Sequence, residues 1–201
     1  MPKAIIFVRH GETTNNVEGR LMGWVRDYAH LTEKGKGEAA KVAQTLLDYQ
    51  IDHIYHSDLI RTAETAEIIC KALGKESEPT MYLRERNLGN FADRTWDDIK
   101  TNSPADFTKF LDHADADWNG LEGESLRDMH ERFQQFLDHL HKEHSNQTVL
   151  LVTHSGFLYT ILRDFFEFFP KESFTEVGHS SITVLEKDND HYRLKLYNHS
   201  K

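Results

Sequence analysis

Short apolar runs alternate along the chain with amphipathic stretches of helical period. Ala4-Ile5-Ile6-Phe7-Val8 is continuous and apolar, the pattern of a strand buried on both faces. After a long loop, Thr32 offers an N-cap to a helix carrying Ala39, Val42, Ala43, Leu46 and Leu47 on one stripe. The unit then repeats. Ile51 to His56 reads as a strand, Ser57-Asp58 as a turn, and Arg61 to about Leu73 as a helix; Thr148 to Val152 is a third strand, leading through Thr153-His154-Ser155-Gly156 into a helix that reaches Leu162.

Between the second and third units the rhythm breaks. Over residues 87 to about 123, Ser103-Pro104 predicts a short helix bearing Phe107, Phe110 and Leu111, and residues 113 to 120 show no period. This segment reads as an inserted lid, not an independent domain. Ser125 then caps a long helix with Leu126, Met129, Phe133, Phe136, Leu137 and Leu140 on its apolar face. Ser181 to Lys187 and His191 to Asn198, joined by Asp188-Asn189-Asp190, read as a hairpin that extends the sheet at one edge. Strand and helix alternation predicts an α/β fold: a three-layer α/β/α sandwich with a mostly parallel sheet, an antiparallel C-terminal edge and a small inserted lid at about 87–123, all within a single domain spanning 1–201.

Composition narrows the functional classes. The formal net charge of −9 argues against nucleic acid or an anionic membrane as a partner, because both favour a basic face. No apolar stretch approaches the roughly 18 residues of a membrane span, and Met1-Pro2-Lys3 runs directly into the first strand without a signal peptide, so a cytoplasmic location is expected. Cys70, the lone cysteine, excludes an internal disulfide and sits in the helical pattern with Ala66, Ile69 and Leu73 as a packed thiol. Thirteen histidines invite a metal, yet no His-Glu-x-x-His motif occurs and His139, His141 and His144 lack partners that would close a site, so neither metal nor cofactor is expected. The C-terminal edge strands leave a homodimer open.

The chemistry converges from distant positions. Each strand and helix unit delivers a polar residue near the carboxyl end of its strand: Arg9 and His10, then Arg61, then His154. In an open α/β sheet those ends share one crevice, where ligands bind. Imidazole can attack through one nitrogen while guanidinium grips phosphate with a fork of donors, and helix N-termini add backbone N–H groups. Two arginines and two histidines would hold a tetrahedral dianion without a metal. Glu12 reads as an orienting or turn-capping group, and Trp118 and Phe91 as packing within the lid rather than platforms for a substrate ring.

Arg9-His10-Gly11-Glu12-Thr13, Gly23, Leu31-Thr32-Glu33-Lys34-Gly35, the run Ser57 to Ala66, Leu83-Arg84-Glu85-Arg86, Gly123-Glu124-Ser125 and Val152-Thr153-His154-Ser155-Gly156 form an ordered series. It resembles the histidine phosphatase superfamily, in the branch that includes cofactor-dependent phosphoglycerate mutases and their phosphatase relatives. The resemblance implies that His10 becomes phosphorylated, that Arg9, Asn16, Arg61 and His154 bind the phosphoryl group, and that Glu85 is the acid/base. Arg84 and Arg86 flank Glu85 and would weaken it as an acid if both pointed inward. The chain departs from the family pattern at Met22, His30, Ala92-Asp93 and Ser155, positions expected to bear on specificity more than on chemistry.

A mutase needs a second anion site, whereas residues 95 to 123 offer Lys100 and Lys109 against Asp97, Asp98, Asp106, Asp112, Asp115, Asp117 and Glu122. The expectation is therefore a metal-independent phosphomonoester hydrolase acting on a small phosphorylated metabolite. Phosphoglycerate mutase-type transfer is the alternative, followed by a non-catalytic phosphate-binding regulatory protein.

Overall fold

A computed structural model describes residues 1–25, 28–111, 115–119, 122–170 and 177–200. Six strands form one sheet: β1 (Ala4–Arg9), β2 (His53–Ser57), β3 (Glu78–Thr80), β4 (Thr148–Thr153), β5 (Ile182–Asp188) and β6 (His191–His199), in the order β3-β2-β4-β1-β5-β6. The pairs β3/β2, β2/β4 and β4/β1 are parallel, and β1/β5 and β5/β6 are antiparallel. This is the expected mostly parallel sheet with an antiparallel C-terminal edge.

Every residue of β1 and β4 is buried, because helices cover both faces of the sheet. Side chains alternate between two cores. Ile5, Phe7, Val149 and Leu151 pack with Met129, Phe133, Phe136, Leu137 and Leu140 of α6 (Leu126–Glu143) and with Phe157 and Leu158 of α7 (Ser155–Thr160). Ile6, Val8, Leu150 and Val152 pack with Val42, Ala43 and Leu46 of α2 (Glu33–Leu46) and with Ala66, Ile69 and Cys70 of α3 (Ile60–Leu73). Further α-helices among the described residues are α1 (Thr14–Val17), α4 (Trp96–Asn102) and α5 (Pro104–Leu111).

The caps fall where the hydroxyls predicted them. Thr32 accepts a hydrogen bond from Gly35 N, and Ser125 forms a reciprocal capping box with Asp128. Two local expectations need correction. Leu47 is 53% exposed rather than on the apolar stripe, because α2 ends at Leu46 and the chain turns outward. The second strand begins at His53 rather than Ile51, although Ile51 is buried before it. Two elements carried no legible signal: the three-residue edge strand β3, too short for a period, and α4, which Thr95 caps through Asp98 N.

Between Leu88 and Trp118 a third, small core forms. Leu88, Phe91 and Ile99 are buried there against Leu21, Phe107, Phe110 and Trp118, so Phe91 and Trp118 pack inside this segment. Residues 112–114 and 120–121 of the segment lie outside the described residues. Among the described residues no helix is long and apolar enough to cross a membrane.

Candidate active site

Strand register brings the two histidines together. β1 and β4 are parallel neighbours with Arg9 opposite Thr153, so the next residues, His10 and His154, leave the sheet side by side. His10 N donates to Thr153 O at 3.0 Å, carrying the ladder one step past the strand, and the two rings meet edge to face with centroids 5.3 Å apart. On the other side of β4, β2 leads into α3, whose first turn holds Arg61. Its Nε donates to His154 Nδ1 at 3.2 Å. Residues 9, 10, 61 and 154 thus converge as the strand ends predicted.

A close backbone approach shapes the exit from β1. A Cβ on Gly11 would collide with the carbonyl oxygen of Gly35, and one on Gly35 with the carbonyl oxygen of Glu12. Only glycines let the first turn of α2 rest against this loop. Glu12 itself accepts from Thr32 Oγ1 at 2.9 Å and Lys34 Nζ at 2.5 Å, which ties the loop to α2 and lowers the carboxyl's pKa. It orients its surroundings, as its sequence position suggested.

Hydrogen-bond partners fix the tautomers. His10 Nδ1 lies 2.8 Å from the carbonyl oxygen of Gly11, which can only accept, so Nδ1 carries the hydrogen and Nε2 keeps its lone pair. In His154 the roles reverse: Nδ1 accepts from Arg61, and Nε2–H donates to Ser57 Oγ at 2.9 Å. Burial holds both pKa values well below the ordinary histidine range, and the Arg61 and Arg9 guanidinium groups push in the same direction. Both rings are neutral near pH 7.

The arginines are held as firmly. Arg61, 1% exposed, also donates from Nη2 to Gly23 O at 2.8 Å and from Nη1 to Val25 O at 3.2 Å. With three of its five hydrogens so placed, two remain for an anion. Burial lowers its pKa to about 10, leaving it a cation. Arg9 donates from Nη1 to Val177 O and from Nη2 to His179 Nε2, the latter at 2.8 Å.

Glu85 sits across the crevice at the start of α7. Its Oε2 accepts from Gly156 N and its Oε1 from Arg86 N, both at 3.0 Å. A Cβ on Gly156 would stand 2.8 Å from Oε1, so the glycine after Ser155 leaves room for the carboxylate. The flanking arginines do not both turn inward. Arg84 pairs with Asp58 and stacks 4.7 Å over the Trp24 ring, while Arg86 donates to Glu124 O at 2.7 Å and Trp118 O at 3.2 Å. Trp24 Nε1 donates to Glu85 O at 2.6 Å. Behind this backbone, Arg132 joins Glu124 in a buried ion pair at 2.8 Å and donates to the carbonyls of Tyr82 and Arg84. Losing one partner of such a pair costs about 3–5 kcal/mol.

Asn16 is placed less directly. Its Oδ1 accepts from Thr13 N at 3.1 Å and Thr13 Oγ1 at 2.9 Å, closing the capping box of α1 and leaving the Nδ2 end of the amide as donor. Sequence reasoning missed Ser57, Trp24, Arg132 and His179. The last had a usable signal: β5 runs antiparallel to β1, so the residues just before it must lie beside the end of β1, and Ser180 N indeed donates to His10 O at 3.3 Å.

Among the described residues, Glu12, Glu38 and His179 place one donor atom each within 4.8 Å of one another, a spacing open to a cation. Lys34 already provides one there, its Nζ 2.5 Å from Glu12 and 3.7 Å from Glu38.

The model of the histidine phosphatase superfamily (branch 1) matches residues 5–200. Phosphoglycerate mutase-like protein 4 of Arabidopsis thaliana is 34% identical over 81% of this chain and 69% of its own length. Among solved structures, Bacillus stearothermophilus YhfR aligns with a TM-score of 0.87 at 29% identity, covering 100% of this chain and 98% of that one. The mycobacterial glucosyl-3-phosphoglycerate phosphatase complexed with VO3 aligns with a TM-score of 0.87 at 26% identity, covering 98% and 100%. With its paired histidines, arginine forks and carboxylate at adjoining strand ends, this chain belongs to the histidine phosphatase superfamily, branch 1, whose members are phosphoryl-transfer enzymes, phosphatases and mutases alike.

Proposed function

We propose that the protein hydrolyses a phosphomonoester of a small metabolite through a phosphohistidine on His10, without a metal. The observation that carries this reading is the neutral His10, whose Nε2 lone pair lies in a pocket with two guanidinium groups. In the first step Nε2 attacks phosphorus as the bond to the ester oxygen breaks, and the Glu85 carboxyl gives that oxygen its proton. In the second, Glu85 as carboxylate takes a proton from water as the water oxygen attacks phosphorus. The N–P bond breaks, phosphate leaves, and His10 is regenerated. Arg9, Arg61, Asn16 and His154 hold the phosphoryl oxygens and meet charge that grows in flight. A bound dianion favours a second proton on His154, after which Nδ1 also donates and Arg61 Nε is released toward the phosphoryl group.

Hydrolysis is favoured over transfer between hydroxyls by the segment at 87–123, proposed as the lid. Its acidic balance suits no second phosphate, and the nearby arginines are engaged: Arg84 with Asp58, Arg86 with two carbonyls and Arg94 with Asp98. The mycobacterial phosphatase complexed with VO3 supports the same reading, since vanadate resembles phosphate. The mutase reading keeps support from the mutase-like Arabidopsis relative. A panel of phosphorylated metabolites, assayed for inorganic phosphate in the presence of EDTA, tests both. Phosphate release from at least one is expected. Isomerisation of a phosphoglycerate without phosphate release would overturn hydrolysis, and abolition by EDTA would overturn metal independence.

A further inference from the structure

His179 lies outside the set that carries the proposed chemistry, yet it stands against it. Its ring centroid is 6.2 Å from that of His10, and its Nε2 lies 2.8 Å from Arg9 Nη2. A guanidinium can only donate, so Nε2 is the acceptor and the ring is neutral with its hydrogen on Nδ1. We propose that His179 is a positioning residue for the phosphoryl clamp: with the Val177 carbonyl, its unprotonated ring fixes the direction in which Arg9 presents its fork to the phosphoryl oxygens. The inference rests on the phosphate-binding role proposed for this pocket.

Three observations support it. The segment is itself anchored, because Gly178 N donates to Asn198 Oδ1 at 2.7 Å and Ser180 N to His10 O at 3.3 Å. The acceptor for Arg9 is therefore built onto β6 and the strand exit rather than left on a swinging loop. Second, a guanidinium held at two points loses less freedom when an anion arrives than one held at a single point. Third, His179 also lines a cleft of about 260 Å³ with Glu38, Lys41, Thr45 and His199, so one edge of the ring meets solvent while the other meets Arg9. Unlike the buried His10, it can exchange protons directly with water.

That position makes the clamp sensitive to protons. The charged and titratable groups facing the ring are Arg9 from β1, His10 and Glu12 from the loop after it, Lys34, Glu38 and Lys41 from α2, and His199 from β6. Burial and the Arg9 guanidinium lower the His179 pKa to about 4, while Glu12 opposes them. Above that pH the ring accepts from Arg9. Below it, a second cation faces the guanidinium and the hydrogen bond is lost.

Titration of the full-length protein with inorganic phosphate by calorimetry, for wild type, His179→Asn and His179→Leu, tests the proposal without depending on turnover. Leucine is expected to weaken binding about tenfold, the size of one hydrogen bond to a charged group, and asparagine, whose Oδ1 can accept, to stay within about threefold of wild type. Between pH 7 and about pH 4, where half of the rings are protonated, the wild type should lose about twofold in affinity relative to His179→Asn, because of the two side chains only the histidine titrates. Equal binding by wild type and both variants would overturn the positioning role, as would equal weakening of the two variants or a wild type to asparagine ratio that does not move with pH. A wild type that binds no phosphate would instead overturn the reading of the pocket.

Discussion

Among the described residues, two clusters of histidines lie at opposite ends of the sheet, and only one of them is proposed for chemistry. At the carboxyl ends, His10, His154 and His179 each lie against an arginine. At the amino ends, His53, His139 and His144 gather around Tyr55, whose hydroxyl is 2.8 Å from His144 Nε2, while His144 Nδ1 meets Gln147 Oε1 at 2.9 Å. The rings approach as closely there, with His53 and His144 centroids 4.2 Å apart. Their polar partners are a phenol and an amide, which tie β2 to the end of α6 without gathering positive charge. Contact between imidazoles does not set the two clusters apart; at the carboxyl ends burial holds the rings neutral, and the arginines beside them push the same way and supply the charge that would attract an anion.

Substitutions within the two clusters should break this contrast most sharply at His10, the proposed nucleophile. His10→Ala is expected to lower phosphomonoester turnover by about 10⁴-fold or more and to abolish an acid-labile, alkali-stable phosphoprotein. Retained turnover would sink the mechanism. Next in size, Glu85→Gln should lower kcat by about 10²- to 10³-fold while phosphate affinity persists, since glutamine still accepts from Gly156 but has no proton to give. A parallel loss of phosphate binding would show that Glu85 is needed for the pocket itself.

Gly156→Ala probes the same carboxylate from behind. The added methyl must displace Oε1, and kcat should fall about tenfold with the melting temperature nearly unchanged. Acid stability sharpens the comparison through thermodynamics. Folded His10 and His154 stay neutral, whereas in the unfolded chain they take up protons as pH falls below about 6.5. Stability is therefore lost on acidification, by up to about 1.4 kcal/mol per pH unit for each, until pH falls through their lowered folded values. Denaturant titrations between pH 7.5 and 5 read this slope, and His154→Asn should reduce it. The smallest effect on activity belongs to the other end: His144→Ala should leave kcat/KM within about twofold and cost about 1–2 kcal/mol for the hydrogen bonds lost to Tyr55 and Gln147. A large kinetic change there would erase the distinction between the clusters.

Much of this is legible in the amino-acid sequence. β1 and β4 are apolar throughout because both their faces are covered, and α6 has a period dictated by one buried face, so chemistry and geometry coincide in their sequences. The convergence of Arg9, His10, Arg61 and His154 followed from topology, although the roles assigned to Glu85 and Asn16 came from resemblance alone. What stayed hidden depends on contacts between distant segments. Ser57 was read as a turn residue, yet His154 uses it as an acceptor 97 positions away. Arg132 carries no signal within α6, because its guanidinium is buried under the backbone that leads to Glu85, where it meets the carbonyls of Tyr82 and Arg84. β3 is three residues long and pairs in parallel with β2, which no local pattern announces.

The register of β1 against β4 has a consequence for how such a chain can change. The spacing of His10 from His154 is metered by the hydrogen-bond ladder, in which each residue advances about 3.3 Å and reverses the direction of its side chain. A single-residue deletion within Ala4–Arg9 would therefore turn His10 away from His154 while removing little mass. The long stretch between the two strands is not part of that measurement. Segments such as 87–123 can change in length without altering the register that sets the two imidazoles, provided the contacts beside Glu85 are kept, a freedom that the strands themselves lack.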